Sequence, residues 1–229
     1  MTPPPPATPP PATSSTLCSR VFAAVLFDLD GTLVDSTAAV ERCWRRWAAE
    51  FGVRLPAVLE HGMPARTGVS RYLPAHLVEA GVARMEQLEV SDTEGITALP
   101  GASEALATVG TERAAVVTSC TAELAQARVS AAGIAAPNVV ITVDQIARGK
   151  PDPEGFLLAA HRLGVEPGSC LVVEDAPSGL VAARAAGCAT IALTTTTPRS
   201  ALVADLIVNS LANVRFAVVR DGVRVAMAR

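Results

Sequence analysis

Short apolar runs alternate with longer helical patterns along most of this chain. Six runs are short and rich in Val, Ile, Leu and Ala, which is typical of buried strands: 21–27, 114–119, 138–142, 170–175, 189–194 and 205–208. Four segments between them have helical spacing and end in glycine, a residue that helices favour at their C-terminal ends: 101–110, 121–133, 153–164 and 176–187. This repetition predicts an α/β fold with a Rossmann-like, doubly wound parallel sheet.

Residues 38–97 interrupt the alternation. They contain no convincing strand pattern and begin with an amphipathic run whose apolar members are Val40, Cys43, Trp44, Trp47 and Phe51. Pro100 and Gly101 then mark the return to strand and helix patterns. We therefore expect an inserted α-helical cap at 38–97, with 21–37 and 98–229 forming the α/β core. The two tryptophans are expected to pack inside the cap rather than to bind a ligand.

The two ends of the chain have different patterns. Residues 1–20 are expected to form a disordered tail, because 2–16 are rich in proline and poor in apolar residues. At the other end, apolar runs flank Asp221 and Gly222, which predicts a terminal hairpin.

Composition and charge narrow the classes of partner. The 229 residues carry a net charge of −3, and no basic run is interleaved with aromatic residues, so nucleic acid is not expected as a partner. No apolar segment approaches the roughly 18 to 20 residues needed to cross a membrane, and no signal-peptide pattern opens the chain. A cytoplasmic monomer that acts on a small molecule is the expectation. The five cysteines lack paired spacing, so we expect reduced, mostly buried thiols.

Polar residues and glycines are found at the carboxyl ends of the predicted strands, where parallel sheets bind ligands. They are Asp28, Asp30, Gly31 and Thr32 at the first strand, Thr118 and Ser119 at the second, Lys150 after the third, and Glu174 and Asp175 at the fourth. Carboxylates gathered at one edge would repel one another unless a cation lay among them. Oxygen ligands without nearby His or Cys favour Mg²⁺.

A cation, a lysine and a hydroxyl together suit a phosphate dianion, because catalysis of phosphoryl transfer consists mainly of positioning and charge neutralisation. One aspartate could attack phosphorus to give an aspartyl phosphate. The aspartate two residues later could donate a proton to the leaving group and then accept one from water. Lys150 is the only lysine, whereas the other 18 of the 19 basic residues are arginines. Its position therefore favours a compact ammonium over a planar guanidinium.

Four segments, in this order and spacing, resemble the motifs of the haloacid dehalogenase superfamily of phosphohydrolases. They are VLFDLDGTLVDS at 25–36, VVTS at 116–119, GKPDP at 149–153 and VVEDAPSG at 172–179. The resemblance covers about residues 21–210 and implies a member with a helical cap. The segments TEGITALPGA, AVVTSC and RGKPDPEGFLLAA are most similar to sugar and polyol phosphatases, such as hexitol-phosphate, 2-deoxyglucose-6-phosphate and glycerol-phosphate phosphatases.

The resemblance implies a nucleophile and a metal site. Asp28 would be the nucleophile, and Asp30 would be the general acid and base. Mg²⁺ would be held by the Asp28 carboxylate, the Asp30 backbone carbonyl and Asp175, with Glu174 a ligand or an immediate neighbour of one.

The resemblance also implies a phosphate site. Thr118 and the backbone N–H of Ser119 would hold phosphoryl oxygens, and Lys150 would screen charge between the phosphate and the nucleophile. Gly31 and Thr32 would shape the loop that orients the acid and base.

Substrate specificity is assigned to the cap. His61 and Arg66, with Arg71 and His76, lie in or near HGMPARTGVSR at 61–71, the expected specificity loop. The alternative for each is an ordinary solvated side chain. Cys120 follows the second strand and could be redox-active, but an inert thiol is expected.

Three other functions remain as alternatives. A phosphomutase resembling β-phosphoglucomutase would share the core and cap, but Thr32 and Val40 stand where such mutases often have Val or Ile and a histidine. A non-catalytic phosphoacceptor of the response-regulator type would have the motifs in another order and no cap. A dehalogenase would not require the acid pair Glu174 and Asp175.

Overall fold

The computed structural model describes residues 14–57 and 65–228, with side chains from residue 17 onward. The strands are β1 (Ala24–Phe27), β2 (Val34–Asp35), β3 (Thr97–Ala98), β4 (Ala114–Val117), β5 (Val139–Ile141), β6 (Cys170–Glu174), β7 (Ala189–Leu193), β8 (Leu206–Val208), β9 (Val214–Val219) and β10 (Gly222–Met227). The α-helices are α1 (Ser14–Ser19), α2 (Thr37–Phe51), α3 (Ala65–Ser70), α4 (Ala75–Ser91), α5 (Ala102–Val109), α6 (Ala122–Ala132), α7 (Glu154–Arg162) and α8 (Pro177–Ala185).

Six strands form one parallel sheet in the order β5-β4-β1-β6-β7-β8. The predicted doubly wound sheet and its six strands are confirmed. The chain builds outward from β1 through β4 and β5, and then crosses to β6 on the other side. Phe27 at the end of β1 is in register with Val116 of β4 and Val173 of β6. The residues that follow these three strands therefore lie at one edge of the sheet, at the reversal of strand order where such folds bind ligands.

Helices cover both faces of the sheet. Val25 and Phe27 enter one apolar cluster that includes residues of α5 and α6, whereas Ala24 and Leu26 enter a second cluster with residues of α7 and α8. This separation follows from the alternation of side chains along a strand. All four β1 residues are buried, which explains why the strand is apolar without a polar face.

The inserted helices α2, α3 and α4 pack around an apolar cluster of their own. Trp47 is fully buried at its centre, and its indole N–H donates to the carbonyl of Gly81 at 2.9 Å. The short antiparallel pair β2 and β3 closes the base of the insertion, although two-residue strands gave no recognisable pattern. The start of α2 and the start of β3 lie beside the cap limits that we propose, 38 and 97.

The predicted disordered tail at 1–20 is wrong in its last part, because Ser14–Ser19 form helix α1. Leu17 is fully buried in the same apolar cluster as Phe22 and Val223, so the helix has an apolar contact with the core. Residues 1–13 lie outside the described residues. The predicted terminal hairpin is confirmed as the antiparallel pair β9 and β10. In the described part of the chain, no helix has the length and apolar character to cross a membrane.

Candidate active site

A cavity of about 570 Å³ lies between the carboxyl edge of the sheet and the cap helices. Most of the site residues expected from the sequence line it: Asp28, Asp30, Gly31, Arg66, Thr118, Ser119, Lys150, Glu174 and Asp175. Except for Arg66, which lies in α3 of the cap, these residues lie at or after the carboxyl ends of strands of the sheet. The cavity therefore brings the strand-end residues together with side chains of the cap.

Three carboxylates form a buried cluster at the floor of the cavity. Asp28, Glu174 and Asp175 each offer an oxygen, and these oxygens lie within 4.8 Å of one another. Burial raises the pKa of Asp28 to about 7, against the opposing effect of Lys150 and with a contribution from Glu174. Burial, together with Glu174 and Asp28, also raises the pKa of Asp175 well above its usual value. Such a cluster can hold a divalent cation, and its all-oxygen donor set fits a hard ion.

Lys150 contacts two of these acids. Its Nζ lies 2.5 Å from Oδ1 of Asp28 and 2.8 Å from Oε1 of Glu174, and the lysine side chain is only 7% exposed. Burial lowers the pKa of Lys150, but the two carboxylates outweigh that effect and raise it above the usual value. The ammonium therefore remains charged within the cluster.

The carboxylate of Glu174 is held by hydrogen bonds from backbone N–H groups as well as from Lys150. Its Oε2 accepts hydrogen bonds from the N–H groups of Asp175, at 2.7 Å, and Ala176, at 2.6 Å. Gly179 in α8 lies directly against this carboxylate, since an added Cβ would stand 1.6 Å from Oε1 of Glu174. Gly179 belongs to the fourth motif, but the sequence alone gave it no role.

Asp175 is supported by threonines. Thr32 donates to its Oδ1 at 3.3 Å, and Thr196 donates to its Oδ2. Thr32 is fully buried and does not line the cavity, so its hydroxyl supports Asp175 instead of contacting a ligand there. Gly31 does line the cavity and has a positive φ of 83°, and an added Cβ would stand 2.2 Å from Asp175. The sequence interpretation missed Thr196, although a run of threonines after a predicted strand was a usable signal.

Asp30 belongs to a second group of polar side chains. Its carboxylate accepts hydrogen bonds from Ser36 at 2.6 Å and from the thiol of Cys120 at 3.0 Å, and it forms an ion pair with Arg128. Arg128 is 5% exposed, and its Nη2 lies 3.3 Å from Oε1 of Glu89 in α4. Arg128 thus connects the loop after β1 to the cap.

The surroundings of Asp30 control its ionisation. Burial raises its pKa, but Arg128, with the hydrogen bonds from Cys120 and Ser36, outweighs burial and lowers the pKa below its usual value. The sequence interpretation missed Arg128 and Glu89. One signal was present, because Arg128 lies on the buried face of α6 with Leu124 and Ala125.

Thr118 and Ser119 lie beside this group at the end of β4. The hydroxyl of Thr118 accepts a hydrogen bond from the N–H of Cys120 at 3.1 Å. Burial raises the pKa of the Cys120 thiol, and the nearby Asp30 raises it further. The reactive thiolate is therefore disfavoured, in agreement with the expectation that this cysteine is inert.

Cap residues line the far side of the cavity. Arg66 is among them, but its guanidinium is paired with Glu79 through two hydrogen bonds of 2.6 and 2.7 Å. Trp44 packs against the cap cluster and also borders the cavity, whereas Trp47 is wholly interior. Arg71 and His76 do not line the cavity. His61, the other expected cap residue, lies outside the described residues.

Comparisons with known proteins identify the family of this chain. Residues 22–187 match the family described as haloacid dehalogenase-like hydrolase. The chain is 46% identical over 196 residues to hexitol phosphatase A of Escherichia coli strain K12, covering 81% of this chain and 90% of that protein. It is 34% identical over 207 residues to validoxylamine A 7'-phosphate phosphatase of Streptomyces hygroscopicus subsp. limoneus, covering 86% and 97%.

A solved structure has the same fold. A hydrolase from Pseudomonas syringae superimposes with a TM-score of 0.74 at 26% identity, covering 83% of this chain and 94% of that one. The resemblance inferred from the sequence motifs is confirmed. The chain belongs to the haloacid dehalogenase-like hydrolase family.

Proposed function

We propose that this protein is a Mg²⁺-dependent phosphatase that releases phosphate from a small sugar or polyol phosphate. The observation that carries the proposal is the buried cluster of Asp28, Glu174 and Asp175, with Lys150 bound to Asp28, at the floor of a cavity large enough for a small metabolite. Support also comes from the two relatives, which are named as phosphatases of hexitol phosphates and of validoxylamine A 7'-phosphate.

The three clustered carboxylates, with the backbone carbonyl of Asp30, would hold Mg²⁺. When bound, the ion neutralises charge on the phosphate and on the acids. Asp28 is the proposed nucleophile: one of its carboxylate oxygens forms a bond to phosphorus while the bond from phosphorus to the ester oxygen breaks. The products of this step are an aspartyl phosphate and an alcohol. Water then cleaves the aspartyl phosphate and restores the carboxylate.

Asp30 is the proposed acid and base. Its position beside Arg128 favours the ionised form, which is the form needed to accept a proton from the attacking water. In the first step Asp30 would carry a proton and give it to the ester oxygen as the bond from phosphorus to that oxygen breaks, and the proton of the attacking water would then restore it. The hydroxyl of Thr118, the N–H of Ser119 and the ammonium of Lys150 are proposed to contact the phosphoryl oxygens.

A phosphomutase is the second candidate function. Val40 borders the cavity at the position where mutases of the β-phosphoglucomutase type carry a histidine. Valine cannot transfer a proton, so this residue favours hydrolysis over isomerisation.

The test is phosphate release from a panel of sugar and polyol phosphates, with Mg²⁺ or with EDTA. Activity should require Mg²⁺ and should be lost in Asp28→Asn, whereas Asp221→Asn, in the exposed hairpin turn, should retain it. Release that persists in EDTA or in Asp28→Asn would overturn the mechanism. A bisphosphate-dependent isomerisation of glucose 1-phosphate would establish the mutase instead.

A further inference from the structure

We propose that Glu86 selects substrates by charge, so that the cavity accepts phosphate esters of uncharged sugars or polyols and rejects those whose leaving group carries a second anion. This inference rests on the proposed phosphatase function. It concerns the side of the cavity that helix α4 of the cap lines with Val82, Glu86 and Glu89.

Glu86 differs from the other acids of helices α2 and α4, each of which is paired with an arginine. Within residues 17–57 and 65–228, its carboxylate has no hydrogen-bond or ion-pair partner, although it lines the cavity and is partly buried. By contrast, Glu50 pairs with Arg84, Glu79 with Arg66 and Glu89 with Arg128. The oxygens of Glu86 are thus free to accept hydrogen bonds from a ligand.

The basic side chains that line the cavity are already engaged. Lys150 contacts Asp28 and Glu174, Arg128 contacts Asp30 and Glu89, and Arg66 contacts Glu79. The described lining contains six carboxylates and these three bases. Residues 58–64, outside the described part, contain no lysine or arginine.

Among the described residues, a second anion on the substrate would therefore meet Glu86 without an unpaired cationic side chain to compensate the repulsion. At an effective dielectric constant near 20, two like charges about 8 Å apart weaken binding by roughly tenfold or more. An uncharged polyol would bind more tightly, because its hydroxyl groups can donate hydrogen bonds to Glu86. Beside Glu86, the side chains of Val40, Trp44 and Val82 form an apolar wall that suits the C–H faces of such a molecule.

The test compares substrates of similar size that differ in charge. We would measure kcat/KM for glycerol 1-phosphate and 2-phosphoglycolate, and for a hexitol phosphate and a hexose bisphosphate. In the wild type, kcat/KM should be at least tenfold higher for the substrate with the uncharged leaving group in each pair. Glu86→Gln should raise kcat/KM for the anionic substrates about tenfold and lower it for the uncharged ones about threefold, because an amide oxygen is a weaker acceptor.

A second substitution separates charge from hydrogen bonding. Glu86→Ala should also admit the anionic substrates, but it should raise KM for the uncharged ones more than Glu86→Gln does, because the acceptor is lost. Glu50→Gln is the matched control, because it removes one negative charge from a cap residue that does not line the cavity. It should leave the ratio of kcat/KM between uncharged and anionic substrates unchanged.

Ionic strength gives a measurement on the unmodified protein. Raising the salt concentration from about 0.05 M to about 0.5 M should lower the ratio of kcat/KM between uncharged and anionic substrates in the wild type. Screening weakens the repulsion between Glu86 and the second anion. No phosphate release from any substrate would defeat the proposed function itself. If phosphate is released but neither salt nor the Glu86 substitutions change the ratio of kcat/KM between the two substrate types, only the charge selection would be overturned.

Discussion

The ammonium of Lys150 lies 2.5 Å from Oδ1 of Asp28, in a position where the lysine side chain is only 7% exposed. The same ammonium donates a second hydrogen bond, to Oε1 of Glu174, at 2.8 Å. The slot between these acids admits a compact point charge. A planar guanidinium is larger and has a fixed donor geometry.

Lys150→Arg should therefore lose most activity although the charge is kept. We expect kcat to fall by about 100-fold, as for loss of a donor that stabilises transition-state charge. Arg148→Lys is the matched control, because that side chain is 72% exposed and should tolerate the reverse exchange. Near-normal turnover of Lys150→Arg would contradict this explanation of the single lysine.

Removal of the buried guanidinium should cost considerable stability. Arg128→Met would leave Asp30 and Glu89 without their shared cation, so we expect the free energy of unfolding to fall by about 3 kcal/mol. Urea denaturation would measure the change. Arg84→Met, which breaks a more exposed pair with Glu50, should lower the free energy of unfolding much less than Arg128→Met does. Equal losses in the two variants would argue against a structural role for the buried pair.

Gly179→Ala should weaken the metal site without changing any ligand. Its Cβ would lie 1.6 Å from Oε1 of Glu174, so that carboxylate must move. We expect Mg²⁺ affinity to fall by at least about tenfold, as for other changes to the partners of metal ligands. Gly168→Ala is the control, because its Cβ would meet nothing closer than 3.9 Å. Calorimetric titration with Mg²⁺ would distinguish them, and equal affinities would refute the prediction.

Stabilisation by Mg²⁺ should depend on pH. In the metal-free protein, burial raises the pKa of Asp28 from 3.8 to about 7, so the folded state binds its proton more tightly than the unfolded state does. Stability in EDTA should therefore fall as pH rises from about 4 to 7. Mg²⁺ competes with that proton, and its addition should raise the melting temperature more at pH 8 than at pH 5.

Thermal denaturation with Mg²⁺ or EDTA at the two pH values would check this prediction. Asp28→Asn should reduce the pH dependence in EDTA, because one of the two buried carboxyl groups with a raised pKa is gone and Asp175 remains. A Mg²⁺-induced shift that is equal at both pH values would show that the metal does not compete with protons at these carboxylates.

The sequence predicted the parts of the site that depend on local patterns. Apolar runs located the strands, and parallel strands bring their carboxyl ends to one edge, so the association of Asp28, Lys150, Glu174 and Asp175 could be expected. Helix α1 could not be predicted, because a single buried leucine after a proline-rich run has no periodicity. The two-residue strands β2 and β3 were too short to give a pattern.

Contacts between distant parts of the chain were harder to predict. Asp30 and Arg128 are 98 positions apart, and Glu89 belongs to the cap, so spacing gave no indication that they meet. The same holds for Glu86, whose helical position alone does not show which way it faces. These contacts depend on how α4 packs against α6, which is a property of the tertiary structure.

The ion pairs of Arg128 have a consequence for how this protein can evolve. Arg128 lies in α6, Asp30 follows the first strand and Glu89 lies in the cap. The charge of the buried guanidinium is therefore neutralised by one acid of the core and one acid of the cap. A cap taken from a relative without an acid at position 89 would leave the guanidinium with one ion-pair partner, Asp30, instead of two. Cap and core are therefore not interchangeable modules, and substitutions at these three positions must be compensated together.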